Sequence, residues 1–272
     1  MTNITHIIHL ADLHIKTGDT FKSKYDEYET VFKNLFEDLS NFIPIIQKKT
    51  IIIIAGDIFH NKLKIESPGL KLVLTFLKNL GSISPVYIIR GNHDYRQEYP
   101  NEPDLIESLF SIDIPNVTYW NNTGHFIVSN IGFGLVSIQD ALLKGNTSGI
   151  TPELPHFPDP KYFDKYPQIK HKIALFHGAI TKTKLPNGMI MDEKHTYPLQ
   201  WFKDYDSVIL GDIHLQQLHG VSQIKNKIKQ NFKYSTEIDN YTYTDTQPWG
   251  YPGSLLQQNF EFYKFFSLLL VT

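Results

Sequence analysis

The sequence contains no cysteine. That excludes disulfides and thiolate metal sites, so any metal must be held by His, Asp, Glu or Asn. Arginine is scarce as well: Arg90 and Arg96 stand alone, and every other basic residue is a lysine. With a formal charge of −2 there is no global basic signature, so a polyanion must be met by local patches. Long apolar runs are missing. The opening "MTNITHIIHLADLH" lacks a basic segment and turns polar too early for a secretion signal. The closing "FFSLLLVT" is far too short to cross a bilayer. These absences predict a protein that is not secreted, has no membrane partner, and works in the cytoplasm or nucleus. What remains is ordinary: 272 residues, 41% apolar and 20% charged, enough to bury a sizeable core. With no internal repeat and no linker, a single domain over 1–272 is expected.

The first ninety residues alternate between strand and helix signals. "HIIHLA" is a short apolar strand. Tyr25, Tyr28, Val31, Phe32, Leu35, Phe36, Leu39 and Phe42 recur at helical spacing, behind an expected capping box of Ser23 with Asp26. "TIIIIAG" reads as a strand buried on both faces. Ser67-Pro68 reads as a helix entry with Ser67 as N-cap, Leu70, Val73, Leu74, Leu77 and Leu80 as the apolar stripe and Gly81 as the stop. "PVYIIRG" is a third strand. This βαβαβ order predicts an α/β fold with parallel strands. "VTYW", "GHFIVSN" and "IGFGLVSI" read as short strands, and residues 140–170, rich in Pro and Gly, as a long surface loop. "KIALFHG" and "DSVILGD" are further strands, and 221–246 reads as a hairpin or insertion.

Polar residues gather where these strands end. "IIHL" runs into Asp12-Leu13-His14, "IIIIA" into Gly56-Asp57-Ile58-Phe59-His60, and "VYIIR" into Gly91-Asn92-His93-Asp94. "IALF" runs into His177-Gly178, and "SVIL" into Gly211-Asp212-Ile213-His214. Ligands of open parallel sheets bind beyond the carboxyl ends of the strands. Asp12, His14, Asp57, Asn92, His177, Asp212 and His214 offer imidazole, carboxylate and amide donors without sulfur, which suits Mn²⁺, Mg²⁺, Fe²⁺ or Zn²⁺. Seven donors exceed one tetrahedral site and match two ions sharing a carboxylate. Strand alternation is expected to put Asp12 and His14 on one side. Any one tip is ordinary turn chemistry; five in succession argue for a site.

This arrangement resembles the calcineurin-like metallophosphoesterases, whose motifs run D-x-H, G-D, G-N-H-[DE], H-G and G-H-x-H. Within that superfamily the chain looks like the SbcD-type DNA repair nucleases, the meiotic-recombination-eleven family of eukaryotes. "GDIFH", the Asp that closes "GNHD", and "YPGSLLQQNF" at 251–260 carry that narrower likeness. The resemblance implies a layered β-sheet sandwich flanked by helices, with ligands at the strand C-terminal ends. It implies that Asp12, His14, Asp57 and His214 hold one ion, and that Asp57 (bridging), Asn92, His177 and Asp212 hold the other, with Mn²⁺ the first choice. His93 would be the catalytic acid, Asp94 would orient its imidazole, and His60 would line the phosphate site. The implied reaction is in-line attack of a metal-bound hydroxide on DNA, exonucleolytic and endonucleolytic, in double-strand-break repair or recombination.

Asp212 departs from the family, which has His there. Carboxylate is a good ligand for Mn²⁺ and Mg²⁺, so a working site with a substituted ligand is expected. The resemblance is to the core domain only, so the capping domain and the segment that binds an SbcC-like coiled-coil ATPase are expected to be absent, which leaves that partnership open. The resemblance also implies a homodimer through helices after "GNHD". Lys62, Lys64 and Arg96 are candidate DNA contacts, Arg96 equally a turn salt bridge, and Lys225, Lys227, Lys229 and Lys233 read as a solvated hairpin. His6, His9, His125, His156, His171, His195 and His219 read as structural. Two other readings stay open: a general phosphoesterase acting on small phosphodiesters or phosphomonoesters, and a catalytically decayed DNA-binding subunit.

Overall fold

Isoleucine sets the architecture. In the computed structural model β1 (His6–Leu10) and β2 (Thr50–Ile54) are buried almost throughout. Successive side chains point to opposite faces. Ile8, Leu10, Ile52 and Ile54 pack into one apolar layer, whereas Ile7, Ile51 and Ile53 pack into another. A strand with both faces dry favours apolar residues at every position, which is why the isoleucines run consecutively here, with His9 the buried exception in β1.

The structure describes residues 3–16, 22–42, 49–62, 65–96, 98–99, 102–145, 155–192, 196–224, 240–243, 247–255 and 267–270. After β1 and β2 come β3 (Val86–Ile89), β4 (Val117–Trp120), β5 (Gly124–Val128), β6 (Ile131–Leu135), β7 (His171–His177) and β8 (Ser207–Gly211). Then follow β9 (Gln217–His219), β10 (Val221–Ile224), β11 (Asn240–Tyr243), β12 (Trp249–Tyr251) and β13 (Ser267–Leu270). One sheet has the order β13-β1-β2-β3-β4, parallel except for β13. The other has the order β5-β6-β7-β8-β12-β9, with β6, β7, β8 and β12 parallel. Ile7, Ile51 and Ile53 of the first sheet meet Ile131, Phe133, Ile173, Leu175 and Ile209 of the second in a shared layer.

Helices cover the outer face of the first sheet. Helix α1 (Lys22–Phe42) packs on α2 (Ser67–Ile83), with Phe32 and Phe76 at 4.1 Å between ring centres. Two shorter helices, α3 (Leu105–Leu109) and α4 (Ile138–Gly145), lie in connections. The outer face of the second sheet is covered by irregular chain instead. Phe163 of the 3-10 turn Pro160–Lys165 is buried there, and Trp201 and Tyr205 donate to the carbonyls of Pro155 (2.7 Å) and Pro158 (2.6 Å). No helix among the described residues is long and apolar enough to cross a membrane.

Several local expectations shift. Helix α1 already runs from Lys22, so Ser23 is a helical residue rather than a cap. Helix α2 takes Glu66 as its N-cap, which moves Ser67 and Pro68 into the first turn. Its buried face is Gly69, Leu72, Val73, Phe76, Leu77, Leu80 and Gly81; Leu70 and Leu74 are only partly buried. Gly81 does not stop the helix, which continues to Ile83. A side chain there would run into the Pro115 carbonyl, so the glycine lets another segment approach. Within the expected loop of 140–170, α4 runs to Gly145 and the 3-10 turn Pro160–Lys165 buries Phe163; residues 146–154 lie outside the described residues. The expected hairpin contains β10 paired antiparallel with β11; Lys225, Lys227, Lys229 and Lys233 lie outside the described residues.

Gly81→Ala therefore sets helix propensity, worth about 1 kcal/mol in favour of Ala, against overpacking at Pro115, which costs about 1–3 kcal/mol. Packing is expected to win. Urea unfolding of the variant should give a lower midpoint than wild type, and a raised midpoint would show that the segment can yield.

Candidate active site

Five strand ends meet at one edge of the sandwich. The loops after β1 and β2 run side by side: Asp12 N–H donates to the Gly56 carbonyl (3.0 Å), His14 N–H to Asp57 (3.0 Å) and Ile15 N–H to Ile58 (2.9 Å). The backbone then leaves extended geometry. Asp12 (φ 54°), His14 (φ 44°), Asp57 (φ 56°) and Asp212 (φ 97°) all occupy the left-handed region. Non-glycine residues held there cost of order 1–3 kcal/mol each and persist only where their surroundings impose them. Strand alternation is thus not what unites Asp12 and His14, whose Oδ1 and Nε2 stand 4.0 Å apart; the strained turn is.

Asp57 faces two ways. Its Oδ2 lies 3.4 Å from His14 Nε2, and its Oδ1 lies 3.4 Å from His177 Nε2. On the first side, His14 Nε2 and His214 Nε2 stand 2.9 Å apart. Asp12, His14 and His214 converge closely enough to share an ion, as do Asp12, Asp57 and His177. On the second side, Asp212 Oδ1 is 3.8 Å from His177 Nε2 and 3.4 Å from Asn92 Nδ2. Asp212 therefore points its carboxylate into the half where the resemblance places it, and its N–H donates to the Asp12 carboxylate (3.1 Å to Oδ1).

The charges make the fit to divalent cations concrete. His177 Nδ1 pairs with the Ala55 carbonyl (2.7 Å), yet its buried Nε2 has no hydrogen-bond partner, and neither has the buried Oδ1 of Asn92. Asn92 Oδ1 has lone pairs to offer. Burial works against a charge on His177, yet Asp57, Asp12 and Asp212 hold its pKa well above the ordinary value, so Nε2 offers its lone pair once a cation takes the proton's place. Burial pushes the Asp12 carboxyl well above its ordinary range, reinforced by Asp57 and Asp212 against the pull of His177. Burial also pushes on Asp57, but His177, His14 and the His93 N–H outweigh it and hold that carboxylate low. Three carboxylates and three imidazoles in so little water create a deficit of positive charge. Burial holds His14 down at about 3 and lowers His214, so both imidazoles are in the neutral form that binds metal. The seven donors fit two divalent ions with Asp57 between them.

The expected auxiliary residues are present in altered roles. His93 Nδ1 pairs with the His60 carbonyl (2.9 Å), and its ring meets His14 edge-on at 4.8 Å. Asp94 does not orient that imidazole. Its buried carboxylate accepts from the N–H groups of Asp57 (2.8 Å), Gly91 (2.8 Å) and Phe59 (3.1 Å), clamping the second and third loops together. The His93 N–H in turn donates to Asp57 Oδ1 (2.8 Å). A side chain on Gly91 would collide with the Asp57 carboxylate and backbone, so the glycine of "GNHD" is a clearance requirement. The His60 ring lies parallel to His93 at 5.8 Å. Lys62 is partly exposed beside this loop; Lys64 lies outside the described residues. Arg96 is held by Glu102 (3.3 Å) and lies over Tyr99 (4.0 Å), the turn salt bridge of the alternative reading.

Sequence reasoning missed the supports. The Tyr28 hydroxyl donates to the His14 carbonyl (2.7 Å) and accepts from Lys16 N–H (3.2 Å), whereas in sequence Tyr28 is one more apolar stripe residue. Ser254 Oγ donates to the Asp12 carbonyl (2.7 Å), and the Tyr251 hydroxyl links Gly178 and Ile180 behind His177. "YPGS" thus braces two site loops, and the motif itself was the available signal. Arg90, next to "GNHD", is buried against Asp104 (2.6 Å) and Tyr119 (3.1 Å). Of the histidines read as structural, His9 is buried in β1, His125 stacks on Tyr162 (4.1 Å) and His219 on Trp249 (3.9 Å). His195 lies outside the described residues.

With this geometry in place, comparison identifies the class. The family model for calcineurin-like phosphoesterases matches residues 5–216, and the chain belongs to that family of dinuclear-metal hydrolases. A curated relative, uncharacterized protein R555 of Acanthamoeba polyphaga mimivirus, is 29% identical over 262 residues; the match covers 95% of this chain and 16% of the relative. Among solved structures, Bacillus subtilis YfkN, a calcineurin-like phosphoesterase, is 14% identical with a TM-score of 0.45, covering 92% of this chain and 81% of its own. Pseudomonas putida nuclease MPE is 17% identical with a TM-score of 0.32, covering 68% of this chain and 67% of its own.

Two outcomes follow. Elemental analysis after manganese loading should find about two ions per wild-type chain and about one in Asp212→Ala; two ions in the variant would remove Asp212 from the ligand set. Asp94→Ala leaves three buried N–H groups without their acceptor, each costing about 1–3 kcal/mol. Denaturant unfolding should show a loss of at least about 3 kcal/mol, and a loss below 1 kcal/mol would contradict the clamp.

Proposed function

We propose that this protein is a phosphodiesterase of the SbcD type that cleaves DNA, with manganese as its working ion. The observation that carries the reaction class is the two-way Asp57 carboxylate, flanked by His14 on one side and His177 on the other, with His93 beside it. Bound divalent ions supply activation of water and neutralisation of charge on the phosphoryl oxygens. The chain supplies the rest. Asp57 sets the spacing between the two halves, and Asn92, His177 and Asp212 close the second of them.

His93 is the acid. Its Nδ1 is paired with the His60 carbonyl (2.9 Å), which leaves Nε2 as the ring nitrogen that serves the leaving oxygen. An alkoxide is a poor leaving group, and a positioned acid is worth roughly 10²–10⁴ in rate. His60 and Lys62 are assigned to the phosphate in this reading. The choice of DNA rests on the "GDIFH", "GNHD" and "YPGSLLQQNF" motifs, and a role in break repair or recombination, with a dimer or a coiled-coil ATPase as partner, belongs to the same reading. A general phosphoesterase would use the same centre without preference for a strand. The decayed-subunit reading is disfavoured by the complete donor set and by the orphaned His177 Nε2 and Asn92 Oδ1.

The test is manganese-dependent cleavage of end-labelled duplex and single-stranded DNA beside an aryl phosphodiester, with His93→Ala in parallel. DNA cleavage by wild type, reduced about 10²–10⁴-fold in the variant at unchanged metal content, is expected. Hydrolysis of the aryl ester with DNA intact would replace this reading with the general phosphoesterase.

A further inference from the structure

The chain beyond β7 carries an apolar tip that takes no part in the core. Residues 180–191 form a hairpin. Met191 N–H donates to the Thr183 carbonyl (2.9 Å), Lys182 N–H to Met191 (3.2 Å) and Leu185 N–H to Met189 (2.7 Å), and Lys184 is bridged antiparallel to Ile190. Gly188 (φ 84°) makes the tight turn, and Asn187 Oδ1 accepts from Met189 N–H (3.0 Å). At this tip Met189 and Ile190 are 62% and 66% exposed, the two most exposed large apolar side chains among the described residues. Single exposed apolar residues are common, whereas adjacent ones on a hydrogen-bonded tip mark a contact surface.

Two clamps fix the hairpin to the metal loops. Ile180, three residues beyond His177, donates its N–H to the Tyr251 hydroxyl (2.8 Å). Gln217, three residues beyond His214, grips Lys184 at both backbone groups: its Oε1 accepts from the N–H (3.2 Å) and its Nε2 donates to the carbonyl (2.8 Å). The hairpin is thus tied to one loop from each half of the centre, and its turn lies roughly 10 Å of strand beyond the Gln217 clamp. Lys182 and Lys184 are exposed on either side of the buried Thr183. No acid lies between Ile180 and Met191; Asp192, at the base, is the first. Positive charge along the strand and apolar side chains at the tip complement a nucleic acid, which has phosphates outside and stacked bases within.

We propose that Met189 and Ile190 are a wedge that opens the terminal base pairs of duplex DNA, while Lys182 and Lys184 hold phosphates of the strand it frees. This rests on the DNA-cleaving reading above and deepens it. Apolar side chains inserted between base steps unstack them, and a strand released from its partner is free to bend toward the ions. The centre selects a phosphodiester, and the hairpin selects the end of a duplex.

The test uses duplex DNA with a fluorescent adenine analogue, which brightens on unstacking, in its terminal pair. Magnesium-loaded protein in the His93→Ala background keeps the strand intact. The parent should brighten the probe. Met189→Ser with Ile190→Ser should abolish most of that signal at an unchanged unfolding midpoint, and Met189→Leu with Ile190→Leu should retain it. In the active protein the serine pair should slow cleavage of a blunt duplex about tenfold or more relative to a duplex already forked at that end. A parent that leaves the probe dark, serine variants that brighten it like the parent, or equal slowing on both duplexes overturns the wedge. Wild type that brightens the probe through Met189 and Ile190 but cuts no DNA would sink the reaction and leave the wedge standing.

Discussion

Three carboxylates, Asp12, Asp57 and Asp212, converge on one small space at the edge of two sheets, and Asp12 and Asp57 are almost fully buried. Like charges so placed repel one another and have given up most of their hydration. The structure holds them there without enough cationic side chains to balance them: His177 sits among all three, while burial keeps His14 and His214 neutral. Divalent cations satisfy this arrangement, and the rest of the active edge can be understood as the means of keeping it in place.

Those means are mostly backbone. Four of the seven donors occupy left-handed conformations, a local strain that the sandwich must offset through its isoleucine layers. Parallel strands bring the loops to one edge, and hydrogen bonds between the first and second loops fix their register. Asp94 clamps the second loop to the third by accepting three N–H groups, and Ser254 and Tyr251 return from the far end of the described chain to brace the first and fourth. A carboxylate used in this way does more for geometry than for proton transfer. It holds Asp57, Phe59 and Gly91 by their N–H groups while His93 Nδ1 pairs with the His60 carbonyl.

The sheets and the donor set were legible in the sequence because each rests on a strong local signal. Fully buried strands read as apolar runs, and Asp, His and Asn at their ends read as a site. Asp212 was visible as a departure, and its carboxylate points into the predicted half of the centre. Other features have no local signature. The entry to α2 moved by one residue because Glu66 takes the cap with its backbone alone. Gly81 looked like a stop because its reason lies 34 residues away at Pro115. The partner of Asp94 was misjudged because adjacency to His93 in sequence does not imply contact, and the groups it binds belong partly to another strand. Tyr28 read only as a stripe residue for the same reason: its hydroxyl acts on the loop after β1.

The central claim is that Asp57 lies between two ions held by different loops. Diffraction from manganese-soaked crystals, with anomalous data at the manganese edge, measures this directly. Two anomalous peaks about 3.5–4 Å apart on either side of the Asp57 carboxylate, one contacted by His14 and His214 and the other by His177 and Asp212, is the expected result. One peak alone, or two that do not share Asp57, would contradict the account.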